Sequence, residues 1–132
     1  MDASGIFDVT LEPQKIDNPQ AQAAGIGRLS LDKQYHGVLA AVGKGEMLAT
    51  GDSQHSGAYV AIERVTGTLQ GRSGSFALVH SAVMKRGVPE SWSVAVVPDS
   101  GTEQLAGLSG TMKITIDGGK HLYDFHYTLP ES

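Results

Sequence analysis

The 132-residue chain contains no cysteine. Without thiols it has no disulfide framework, no cysteine-ligated zinc or iron–sulfur centre and no thiol nucleophile. Basic residues are also scarce. Lys and Arg number 10 against 14 Asp and Glu, for a net charge of −4. That balance speaks against electrostatic binding to nucleic acid, which needs a basic excess to neutralise phosphates. No apolar run approaches the ~18 residues of a membrane-spanning helix. Met1-Asp2-Ala3-Ser4-Gly5 has neither the basic start nor the apolar stretch of a secretory signal peptide. The expectation is a soluble, cytoplasmic protein. The length is that of one domain, residues 1–132, and such a chain buries roughly two thirds of its unfolded surface.

Glycine is abundant, 17 residues against a usual share of roughly 7%. The apolar residues follow a period of two, the signature of strands. Phe7, Val9 and Leu11 alternate with Asp8, Thr10 and Glu12, and Pro13 is read as the end of that strand. Leu29 and Leu31 begin another, and Tyr35–Thr50 reads as a long stretch broken by Gly37, Gly43 and Gly45, which suggest a bend, a bulge or a change of barrel side. Gly51–Gly57 is a loop by composition. Ala58–Leu69 and Ser75–Met84 flank a glycine turn, with Phe76, Leu78, His80, Ala82 and Met84 on one face. Lys85–Glu90 reads as a loop before a strand carrying Trp92, Val94 and Val96. Asp117-Gly118-Gly119 is the strongest hairpin signal, because tight primed turns need positive φ. The final strand places Tyr123, Phe125, Tyr127 and Leu129 on one face and Leu122, Asp124, His126 and Thr128 on the other. Ala21–Ala24 is too short for a helix. The pattern predicts an all-β fold, a closed antiparallel barrel of about eight strands.

Few residues stand out chemically. Glu63 shares its strand face with Tyr59, Ala61 and Val65, while Arg64 faces the other way. An ionisable group on an apolar face is costly unless paired or put to use. Glu63 is therefore the leading ligand-binding candidate, expected inside the barrel with Glu46, His80 and Tyr59 as neighbours. Trp92, with Tyr59, Tyr123 and Tyr127, would either pack as an aromatic core, the favoured reading, or line a cavity for a flat apolar ligand. Asp124 and His126 share a strand face, read as a solvated polar face opposite Tyr123, Phe125 and Tyr127 or, alternatively, as an acid–base pair.

The histidines are His36, His55, His80, His121 and His126, and their spacing offers no local ligand pair, so no metal is expected. Gly71-Arg72-Ser73-Gly74 lacks the spacing and lysine of a phosphate loop, and Gly107-Leu108-Ser109-Gly110 is not a nucleophile elbow. Apolar residues on second faces, such as Ile6 opposite Phe7 and Leu122 opposite Tyr123, suggest a homo-oligomer, a dimer being favoured.

Tyr59-Val60-Ala61-Ile62-Glu63-Arg64-Val65-Thr66-Gly67-Thr68-Leu69 and Gly71-Arg72-Ser73-Gly74-Ser75-Phe76 resemble the uncharacterised bacterial domain-of-unknown-function 3224 family. Val96-Val97-Pro98, Glu103–Gly110 and the closing His121-Leu122-Tyr123-Asp124-Phe125 are similar to it as well. The resemblance runs from about Gly5 to Leu129. It implies a closed barrel similar to that of allene oxide cyclase and dirigent proteins. It implies no reaction, cofactor or catalytic residue. Three function classes stand open: a barrel that binds a small apolar or aromatic molecule in its interior, an isomerase or cyclase using the same cavity, and a barrel that acts through its surface without a ligand.

Overall fold

Period-two patterning becomes eight antiparallel strands in the computed structural model, which describes residues 1–51, 56–86 and 88–130, with the backbone alone at 89–91. They are β1 (Asp2–Gln14), β2 (Gly27–Gly37), β3 (Leu39–Gly51), β4 (Gly57–Leu69), β5 (Arg72–Lys85), β6 (Val88–Val96), β7 (Ser109–Asp117) and β8 (Lys120–Thr128). Each strand pairs with the next, and β8 returns to β1, so the sheet closes on itself. Alternation decides what lies inside. On β4, Ala61, Glu63 and Val65 are buried while Val60 and Ile62 are exposed. On β5 the inner set is Phe76, Leu78, His80 and Ala82, and on β8 it is Tyr123, Phe125 and Tyr127.

Four local expectations need correction. The Tyr35–Thr50 stretch is two strands, which turn back at Gly37–Val38 so that Tyr35 faces Ala41. Pro13 does not end β1, which runs on to Gln14 beside β2. Its missing N–H is tolerated because β8 pairs with β1 only as far as Phe7, leaving that flank without a ladder. One turn of helix, α1, forms at Pro19–Ala23 with Pro in its first turn, and the Asn18 side chain accepts from the Gln20 N–H. Finally, β6 begins at Val88 rather than Trp92, with a register shift between Val83 and Met84. The Gly51–Gly57 loop, with His55, falls largely on Asp52–His55, which lie outside the described residues. Among the described residues no helix is long and apolar enough to cross a membrane.

The two ends of the barrel differ. At one end Phe76 and Phe125 stack with centroids 5.8 Å apart, and Leu39 and Leu69 fill the gaps. The connection from β6 to β7 closes this end. It is tied to β5 by Val97 N–H donating to Ala77 O and Thr102 N–H donating to Ser75 O, each 2.9 Å. A single 3₁₀ turn at Glu103–Leu105 then presses Leu105, and after it Leu108, into the core. Tyr123 locks the turn between β2 and β3, its hydroxyl donating to His36 O at 2.8 Å and accepting from the Leu39 N–H at 3.1 Å. The other end is open. Among the described residues neighbouring strands share well-developed ladders except at one seam, where β6 meets β7 through the pair Ala95 and Thr111.

The β7–β8 turn is as the sequence predicts: Asp117 pairs with Lys120, and Gly118 and Gly119 take φ of +57° and +81°. A side chain at Gly118 would meet nothing within 4 Å, so its cost is backbone strain alone. Gly118→Val should destabilise the fold by about 1–2 kcal/mol, lowering the melting temperature by roughly 4–8 °C in a calorimetric scan; an unchanged melting temperature would contradict this turn.

Candidate functional site

Glu63 projects from the middle of β4 into the barrel and is 0% exposed. Its neighbour on β3 is Gly45, and Gly43 lies one inward position further along. A Cβ at Gly43 would collide with Oε2 of Glu63 and lie 3.2 Å from the Tyr35 ring. The bare backbone at Gly43 thus lets the glutamate lie across β3 and reach β2, two strand spacings of ~4.8 Å away. There Lys33 and Tyr35 point inward. Lys33 Nζ donates to Oε1 at 2.8 Å, and the Tyr35 hydroxyl donates to the carboxylate, 3.0 Å from Oε1 and 2.9 Å from Oε2. From β5, His80 Nε2 stands 2.6 Å from the same Oε1. Among the described residues no buried side-chain nitrogen or oxygen is left without a partner.

The charges in this cluster are set by one another. Burial opposes the charged form of Glu63, but the hydrogen bond from His80 and the charge of Lys33 outweigh it and hold the carboxyl below its usual range. Burial pulls Lys33 below the usual lysine range, and Glu63 pulls it back. Burial, reinforced by the adjacent carboxylate, pushes Tyr35 far up, so the phenol keeps its proton and remains a donor. The Lys33 ammonium also lies 4.9 Å from the Phe7 ring centroid, a cation–π contact.

Above the cluster, toward the open end, is a cavity of about 410 Å³. Lys33 and His80 form its floor, between the Glu63 carboxylate and the space above. Its walls are apolar, with Val9, Leu31, Met47 and Ile114 from four different strands. Tyr59, Ala82 and Trp92 form one row across β4, β5 and β6. Trp92 is 39% exposed at the rim, and burial raises the Tyr59 phenol above its usual range. His121 enters from β8, its ring 5.1 Å from that of Phe7. Among the described residues no three metal-binding side chains converge.

Of the residues singled out from sequence, Glu63 and His80 meet as expected. Tyr59 and Trp92 line the same cavity, and neither is among the partners of the carboxylate. Glu46 is misplaced by that reading. Inward positions on β3 are the odd ones, so Glu46 points outward and pairs with Arg28, whose hydrogen bond lowers the carboxyl pKa. Tyr123 and Tyr127 belong to the packed end rather than the cavity. Asp124 and His126 face outward, and His126 pairs with Asp2 instead. Lys33 and Tyr35 were missed. Their signal was present, since they continue the Leu29 and Leu31 alternation on β2 and set a second charge on an apolar face.

The pattern that defines the family described as "Protein of unknown function (DUF3224)" matches residues 3–127. A crystal structure of a DUF3224-family protein of unknown function from Shewanella oneidensis MR-1 is similar at 40% identity, with a TM-score of 0.89, over 100% of this chain and 98% of that one. No curated protein matches.

Removing one member of the buried pair strands the other. Lys33→Met should cost about 3–5 kcal/mol in urea denaturation, and Lys33→Met with Glu63→Gln should cost less than the sum of the single changes. The pH dependence has a definite sign. Because the folded carboxyl titrates below its unfolded value, its contribution is present above about pH 4.3 and is lost as pH falls through the folded pKa. The acid loss of stability should therefore be smaller in Glu63→Gln than in the wild type; equal acid sensitivity would show that the carboxylate is not held ionised.

Proposed function

The chain belongs to the DUF3224 family, and we propose that it is a small-molecule-binding barrel that takes an apolar or aromatic ligand in its open half. The observation that carries this reading is the contrast between the two halves of one barrel. The same eight strands that close over Phe76, Phe125 and Tyr123 at one end surround about 410 Å³ at the other. Barrel size therefore does not impose the cavity. Residue choice does, with the small Ala82 standing between Tyr59 and Trp92 on the cavity wall. The volume falls in the ~300–1,000 Å³ range of small-ligand sites, and the chemistry fits one: apolar walls with a few nitrogen groups converging at the floor.

The hollow interior favours this reading over action through the surface alone. Trp92, the single tryptophan, stands at the rim and reports on the cavity by its fluorescence. Titration with a set of flat hydrophobic probes (naphthalene, 1-naphthol, 2-tetralone) should shift or quench its emission. Ala82→Phe, which places a ring in the row between Tyr59 and Trp92, should weaken binding at least tenfold while the melting temperature is kept. If calorimetry finds no heat and Trp92 no change with any probe, the cavity is not a binding site.

A further inference from the structure

The cavity floor joins two nitrogen groups of different chemistry on one oxygen atom. Lys33 Nζ and His80 Nε2 both contact Oε1 of Glu63, at 2.8 and 2.6 Å, and both residues line the cavity. An ionised carboxylate only accepts hydrogen bonds. Against such a partner, neutral His80 carries its proton on Nε2. Nδ1 is then the nitrogen with the basic lone pair. Among the described residues Nδ1 has no hydrogen-bond partner, and it is not one of the sealed, partnerless buried atoms, of which there are none. It is open to the cavity. Beside it stands an ammonium group whose three N–H bonds exceed the single bond to Glu63 and the cation–π contact with Phe7. The floor thus offers a base and, next to it, a fixed positive charge, between apolar walls.

Resting on the binding reading above, we propose that the barrel catalyses proton transfer at the carbon next to a carbonyl group in a flat, apolar ketone, with His80 as the general base and Lys33 as the group that stabilises the enolate. The electron count closes without a further reactant. His80 Nδ1 takes the proton from the α-carbon, the C–H electron pair forms the carbon–carbon double bond, and the carbonyl π pair moves to oxygen, where the Lys33 ammonium holds it. The imidazolium then returns a proton, to the same carbon as exchange or, in a β,γ-unsaturated ketone, to the γ-carbon as isomerisation. Glu63 is a positioning residue. It fixes the imidazole tautomer and never touches the substrate. The titratable groups facing His80 are Glu63 from its own flank on β4 and Lys33 and Tyr35 from β2, while β6 presents Val94 there. Glu63 and Lys33 offset each other's charge, so a neutral carbonyl fits the floor without leaving an unbalanced charge.

The experiment follows deuterium incorporation at the α-carbons of 2-tetralone in D₂O by proton NMR, with Trp92 emission recording binding of the same ketone. The wild type should accelerate exchange over buffer in proportion to protein concentration. His80→Gln and His80→Asn should lower it by about a hundredfold or more while Trp92 still reports binding. Nitrogen-15 NMR of the wild type should show His80 as the Nε2–H tautomer, and Glu63→Gln should erase that bias and slow exchange with binding retained. Should neither His80 variant fold, wild-type exchange together with the tautomer decides. Bound ketone with exchange no faster than buffer, an Nδ1–H tautomer, or hydrocarbon probes that bind where 2-tetralone does not would each overturn the catalytic proposal and leave the binding reading standing. Failure of every probe to bind would overturn both.

Discussion

A carboxylate sealed from water inside a barrel is tolerable only when its neighbours supply charge and donors in the right places, and Glu63 draws these from the strands around it. Lys33 and Tyr35 come from β2, His80 comes from β5, and Gly43 on β3 leaves the space the carboxylate occupies. Because side chains alternate along a strand, a slip of one residue anywhere in β2–β5 would turn one of these groups outward. The cluster therefore specifies register across four strands at once. A buried ion pair is a poor source of net stability, since a well-packed apolar replacement often does as well. The pair lies at the floor of the cavity, with Lys33 and His80 lining it.

The packed end and the open end divide the work. Leu105 and Leu108 from the β6–β7 connection cap the aromatic core, and the Tyr123 hydroxyl holds the β2–β3 turn. Tyr35 and Tyr123 meet edge to face at 5.7 Å, and Phe76 and Phe125 stack at 5.8 Å. Tyr35 touches both regions, with its ring against Tyr123 and its hydroxyl on Glu63. The close-packed aromatic core thus lies at one end, and the cavity lies at the other.

Much of this was legible in the sequence. The strand faces of β4, β5 and β8 followed from alternation, and so did the inward position of Glu63 and His80. The Asp117-Gly118-Gly119 turn followed from the φ values only glycine takes cheaply. What misled was reading glycines and prolines as local punctuation. Pro13 ends no strand because what decides its tolerance is whether another strand lies on its N–H side, a tertiary fact. Gly43 and Gly45 do not interrupt β3, whose register with β2 and β4 runs through both. Gly43 is bare because a side chain from the next strand needs the space, which no window along β3 reveals. Glu46 sits directly before the apolar run Met47-Leu48-Ala49 and yet faces out, since neighbourhood along the chain counts for less than parity. Lys33 escaped notice for the converse reason: its flanks, Asp32 and Gln34, are polar, and only its even spacing from Leu29 and Leu31 marks it as internal.

The seam between β6 and β7 gives this closed sheet a mechanical weak line. A barrel resists widening because every strand is laced to two others, and parting any one ladder costs its hydrogen bonds together. Among the described residues seven of the eight ladders are laced along six or more residue pairs, whereas β6 and β7 share Ala95 and Thr111. The seam also runs beside the cavity, with Trp92 on its β6 side and Ile114 and Ile116 on its β7 side. Swelling of the interior around a bulky guest would be taken up here, as the hoop opens like a split ring. The four strands that hold Glu63 in register would stay laced while it did so.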